Sequence, residues 1–168
     1  MTKFETLLLC SGKNDMVAYL KAHPAELTHA IELGLTQQQP LAWRAVWALE
    51  EAIAPNDSRV LPYLAQIVGF LPNANDGHAR QWLMVLHHIQ LPEDLLAPLF
   101  DWCMRCWCNP HAQPSVRYHA YRSMERIAAP YPELQLEIAA TMSEVMVESL
   151  SVGIRHSLFK RKQKVVKR

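Results

Sequence analysis

The chain has 168 residues, 50% of them hydrophobic and 20% charged, with 5 glycines, 11 prolines and 4 cysteines. That composition excludes a disordered or collagen-like chain, and the length suits one ordinary domain. Net charge is +1, but the last nine residues, KRKQKVVKR, hold six basic side chains and no acid, leaving 11 Lys and Arg against 16 Asp and Glu in residues 1–159. The expected organisation is therefore an acidic body over 1–159 followed by a basic tail over 160–168.

The opening stretch MTKFETLLLCSGKND has only a short apolar run with Glu5 ahead of it, which does not read as a signal peptide. No apolar run reaches the ~18 residues of a membrane span, so no membrane partner is expected. Cys10, Cys103, Cys106 and Cys108 then read as reduced thiols of a cytoplasmic protein.

Scarce glycine, abundant Ala and Leu and few β-branched runs predict helices along the whole chain. Apolar spacing places them near 3–10, 14–22, 24–35, 39–53, 58–71, 77–89, 92–108, 114–128 and 132–150, with a last one from about 152 into the tail. Pro24, Pro92 and Pro132 sit where a first helical turn accepts proline. Asp57, Ser58, Asp76 and Ser115 are candidate caps, and LPNANDG and CNPHAQP read as loops.

These helices repeat. LAWRAVWALEEAI, HARQWLMVLHHI and SVRYHAYRSMERI align, with Arg44, Arg80 and Arg117 spaced 36 and 37 residues apart and the runs closing on Ile53, Ile89 and Ile127. An interleaved set, RVLPYLAQI and LLAPLFDW, places Pro62 and Pro98 again 36 apart. Helix pairs at a fixed period predict an all-α superhelix, because no pair can bury its apolar face without its neighbour. The pattern resembles HEAT and armadillo-type repeats, and the three arginine-led helices with the C-terminal IRHSLFKRKQKVVKR are similar to a group of small uncharacterised bacterial HEAT-like proteins. Some of that group carry an adenylosuccinate lyase label. Such a lyase has a Ser-rich flexible loop with a Met-Pro-x-Lys signature, which this sequence lacks.

The one stretch with the residue types of a metal site is CMRCWCNPH, Cys103 to His111. Cys103 and Cys106 continue the apolar stripe of Leu95, Leu96 and Leu99, so they read as core side chains. Cys108 lies about 140° round the helix from Cys103, and could join His111 in a site only if the helix ended at Asn109-Pro110. The expectation is no metal and no cofactor. No phosphate loop, HExxH or GxSxG occurs, His87-His88 diverge on a helix, and Glu50-Glu51 read as a solvated end, so no catalytic residue is assigned.

If the arginines mark one register, the second helices present Arg44, Trp47 and Glu51, then Arg80, Met84 and His87, then Arg117, Tyr121 and Met124 with Arg122 and Glu125 flanking, on a common groove. Arginine beside Trp and Tyr is the composition of a binding surface. The other reading is structural: the arginines brace one repeat to the next and the aromatics are core. The tail residues Lys160, Arg161, Lys162, Lys164, Lys167 and Arg168 suit a solvated end, a phosphate backbone, or an acidic protein surface such as a second copy of the chain. The expected function is non-catalytic binding or scaffolding of a protein or peptide. The alternative is a nucleic-acid-associated protein, including a HEAT-like alkylation-repair glycosylase, for which Asp101-Trp102 is the one neighbouring acid–Trp pair.

Overall fold

The structure, a computed structural model, describes residues 1–165, and the side chains of these other than residues 144, 145 and 159–165. Every regular element among them is helical. The helices are α1 (Lys3–Cys10), α2 (Lys13–Ala22), α3 (Glu26–Gly34), α4 (Leu41–Ala52), α5 (Leu64–Phe70), α6 (Asp76–Leu86), α7 (Glu93–Cys108), α8 (Pro114–Ala128), α9 (Pro132–Ala140), α10 (Glu144–Glu148) and α11 (Val152–Val165). The fold is all-α, and the chain divides into two compact units, Met1–Leu99 and Phe100–Arg168.

In the first unit α4 is the central helix, packed against α1, α2, α3 and α6. Its sequence explains that position. Ala42, Ala45 and Ala48 are fully buried with Val46 and Leu49, and small side chains let several neighbours approach closely. The tightest approach comes at Gly34, the last residue of α3. A Cβ there would lie 2.5 Å from Val46 on α4 and 2.8 Å from the Trp82 ring on α6. The Gly34 carbonyl also accepts a hydrogen bond from Trp82 Nε1 at 3.2 Å, which satisfies the one polar atom of a fully buried indole.

Helix starts follow local chemistry. Thr2 and Glu5 form a capping box on α1, with Glu5 N donating to Thr2 Oγ1 at 3.1 Å and Thr2 N to the Glu5 carboxylate at 2.7 Å. The cap of α6 is Asn75, whose Oδ1 accepts from His78 N at 3.0 Å, and Asp76 is a first-turn acid. Ser115 likewise falls inside the first turn of α8, which begins at Pro114.

The helix expected over 58–71 opens later, with a 3-10 turn at Leu61–Tyr63 and a second at Leu71–Asn73 around α5. Residues 54–60 are held in a turn instead. The buried Asp57 carboxylate accepts from Ala54 N at 3.4 Å, Arg59 N at 3.1 Å and the Arg59 guanidinium at 2.8 and 2.6 Å. Asn56 takes φ 55°, a left-handed conformation that asparagine tolerates. It pins the turn to the end of α6: its N–H donates to His88 O at 2.9 Å and its side chain accepts from Gln90 N at 2.6 Å.

In the second unit α8 packs against α9 and α11. The single helix expected over 132–150 is broken between α9 and α10, at residues 141–143. Thr141 is where it turns: Thr141 Oγ1 donates to Ile138 O at 2.7 Å and accepts from Trp107 Nε1 at 2.9 Å. The break gives a fully buried indole its acceptor, and beyond it Met146 O and Ser149 Oγ come within reach of Arg117 on α8.

Gly34→Ala should cost about 2–3 kcal/mol, since α3 must move off both α4 and α6. Gly69→Ala on α5, where nothing lies within 4 Å of the added methyl, should be neutral or stabilise by up to about 1 kcal/mol. Urea melts of the two variants check both values. The Arg59 side chain, with two backbone N–H groups, holds the Asp57 carboxyl down to about 2 against an ordinary value of 3.8. Its stabilisation is therefore complete above pH 4 and lost as pH falls from there through about 2. Asp57→Asn should flatten the stability–pH curve over that window.

Candidate functional site

The three repeat arginines meet different fates. Arg44 on α4 reaches the α1–α2 junction, where its guanidinium donates to Leu8 O and, at 2.5 Å, to Ser11 O. These are carbonyls at the C-terminal end of α1, which the helix itself leaves without donors. Arg117 on α8 does the same in the second unit. It is fully buried, its Nε donates to Trp107 O at 3.0 Å at the end of α7, and its Nη atoms reach Ser149 Oγ at 2.8 Å and Met146 O at 3.4 Å. Burial pushes the Arg117 guanidinium below its ordinary range, opposed by the nearby thiols of Cys106 and Cys108. Tyr121, one turn on, is buried against the Trp107 ring with centroids 4.9 Å apart, while the Arg117 guanidinium lies 5.3 Å over that ring. Arg117 and Tyr121 thus face the interior of their own unit.

Arg44, Trp47 and Glu51 share the outward side of α4 in the first unit, beside residues that sequence reasoning missed. Trp43 lies 5.5 Å from Trp47 between ring centroids, and the Arg44 guanidinium stands 5.9 and 5.7 Å over the two rings. Lys13, at the start of α2, sits 5.5 Å over Trp47 and pairs with Glu50 at 3.4 Å and Glu51 at 3.0 Å. Both tryptophans are partly exposed. The i, i+4 spacing of Trp43 and Trp47 is a usable sequence signal. Lys13 gives none, because it joins the cluster only through tertiary packing.

Arg80 and His87 lie on or just past α6, which runs parallel to α4. Gln39, just before α4, contacts His78 in the first turn of α6 at 3.2 Å, and Glu50 near the end of α4 meets His88 just beyond α6 at 3.5 Å. From His78 to Leu86, α6 buries every residue except Arg80 and Met84. Two parallel packed helices thus present adjacent outward stripes, Trp43–Arg44–Trp47–Glu51 and Arg80–Met84. Trp43 and Trp47 lie along the α4 stripe, with the paired charges of Lys13, Glu50 and Glu51 toward its C-terminal end. At the other end His78 is buried, desolvation holds its imidazole below its ordinary range, and its Nδ1 lies 3.2 Å from Gln39 Nε2.

The sulfurs are dispersed. Cys103 is buried, and desolvation, with Cys106 adding to it, pushes its thiol up out of the ordinary range; Cys106 is partly buried, and Cys10, Cys108 and His111 are exposed. Among the described residues no three His, Cys, Asp or Glu side chains converge as metal ligands would. Asp101 is exposed and Trp102 partly buried on α7. The side chains of Lys160, Arg161, Lys162 and Lys164 lie outside the described residues, as do Lys167 and Arg168 entirely. No helix among the described residues is long and apolar enough to cross a membrane.

A family model described as a HEAT repeat domain matches residues 11–165. No curated protein and no solved structure matches the chain.

Arg117→Lys should destabilise the protein by about 2–3 kcal/mol, because one ammonium cannot serve the Trp107 carbonyl, Ser149 and Met146 together. Thermal or urea unfolding of the variant measures this, and an unchanged midpoint would show that the buried guanidinium is not a brace.

Proposed function

Because the chain belongs to the HEAT repeat domain family, we propose that it is a non-catalytic binding protein that presents the α4–α6 face of its first unit to a protein or peptide segment. The observation that carries this reading is the Trp43–Trp47 pair. Two large aromatics stand side by side on a helix, partly open to solvent, with cations fixing them from one side. Large partly exposed aromatics held rigidly lose little freedom on docking, which is what makes tryptophan and arginine common anchors. The surrounding charges favour a protein rather than a polyanion: Lys13 is matched by Glu50 and Glu51, and Arg44 is engaged by carbonyls. The four free cysteines fit a reducing cytoplasm.

A second reading rests on the composition of residues 160–168 alone. Six basic side chains without an acid would hold nucleic acid through its phosphates, with affinity falling steeply as salt rises. A chain ending at Phe159 separates the two, because it keeps the α4–α6 face and loses the tail.

Trp43→Ala/Trp47→Ala should leave the protein folded and weaken partner association about 30-fold or more. Quantitative co-purification from cell extract, comparing the wild type with this variant, reads the effect. An identical set of retained proteins would remove the face from the function. Salt-sensitive binding to DNA or RNA by the full chain, lost on ending at Phe159, would favour the second reading.

A further inference from the structure

The second unit leaves one of its helices almost uncovered. Of the nine residues of α9, PELQLEIAA, Ile138 alone is buried. Leu136 is 73% exposed, and Ala139 and Ala140 stand open beside it. A helix this short is marginal in water without tertiary cover, and one buried side chain is little to hold it. Glu133, Leu136, Glu137 and Ala140 follow at i, i+3, i+4 and i+7, which draws one exposed stripe of apolar and acidic side chains. None of the ion pairs among the described residues involves Glu133 or Glu137.

The complementary surface lies on the same unit. α11 opens with Val152, again 73% exposed. Over Val152–Val165 it carries Arg155, Lys160, Arg161, Lys162 and Lys164 and no acid, whereas α9 carries two acids and no Lys or Arg. Positions 155 and 160 fall within about 80° of position 152 round the helix. Within one chain the two surfaces do not cover each other: α9 and α11 both pack on α8, yet Leu136 and Val152 stay open. A chain with an uncovered acidic stripe and an uncovered basic one is complementary to a second copy of itself, because a two-fold axis lets both contacts form at once. Nucleic acid would take the basic surface alone and leave Leu136 in water.

We propose that two copies of the chain associate through this unit, with α9 of each against α11 of the other, Leu136 meeting Val152 and Glu133 and Glu137 facing the basic residues of α11. The surface is separate from the α4–α6 face and does not rest on it. Sedimentation equilibrium of the full chain over about 1–200 μM should show a monomer–dimer equilibrium that weakens as salt rises. Glu133→Lys/Glu137→Lys and, separately, Arg155→Glu/Lys160→Glu, each with the circular dichroism of the wild type, should raise the dissociation constant about tenfold or more, because like charges then meet at both contacts. Mixed in equal amounts, the two variants should restore the dimer, since each supplies the charge that the other has lost. A wild type that is monomeric throughout, variants that dimerise as the wild type does, or a mixture no tighter than either variant alone would overturn the pairing. A monomeric full chain that binds DNA or RNA, with binding lost in Arg155→Glu/Lys160→Glu, would overturn it in favour of nucleic acid as the occupant of α11.

Discussion

Every α-helix ends with carbonyls that its own backbone cannot satisfy, and a stack of short helices multiplies the problem. In this protein the answer is an arginine reaching across from the following helical pair or the partner helix. Arg44 closes the end of α1, and Arg117 closes the end of α7 while gathering Ser149 and Met146. A guanidinium suits this better than a lysine because its donors diverge in one plane and can meet carbonyls from separate segments. The rest of each unit is arranged around that link. The α1–α2 junction is positioned by Arg44, and the break between α9 and α10 sets Met146 and Ser149 where Arg117 can reach them.

The same division of labour leaves an outward face. The inner side of α4 is used up by small residues that admit α1, α2, α3 and α6, and α6 turns Trp82 inward onto Gly34. What cannot turn inward on these two helices is Trp43, Trp47, Arg80 and Met84, and these side chains are larger than solubility alone would select. The Lys13–Glu50–Glu51 cluster then neutralises one end of the α4 stripe, so that aromatic area dominates the rest of it.

Much of the fold was legible because proline, cap residues and apolar spacing are local. The predicted ends of the helices at 3–10, 92–108 and 114–128 match α1, α7 and α8 to within one residue. The continuous helix over 132–150 was not, since nothing in PELQLEIAATMSEVMVESL announces that Thr141 will serve a tryptophan 34 residues earlier. The outward stripe of α4 was half legible. Arg44 and Trp47 stood out by register, but register cannot tell an arginine that finds carbonyls from one that does not, and Arg44, Arg80 and Arg117 differ only in what the tertiary fold brings to them. Asp76 shows the same limit on a smaller scale, because several polar residues at the start of α6 can cap and the backbone selects Asn75.

The central place of α4 also decides how the first unit comes apart. A long helical array frays from its ends, each repeat answering only to its neighbours. Here one helix belongs to the interfaces with α2, α3 and α6 that dominate a short stack, so opening it means opening all three. Amide protons of α4 then exchange with solvent only through global unfolding of the unit, while those at the outer ends exchange through local fluctuations. The side of α4 that carries Trp43 and Trp47 is consequently as rigid as the unit is stable.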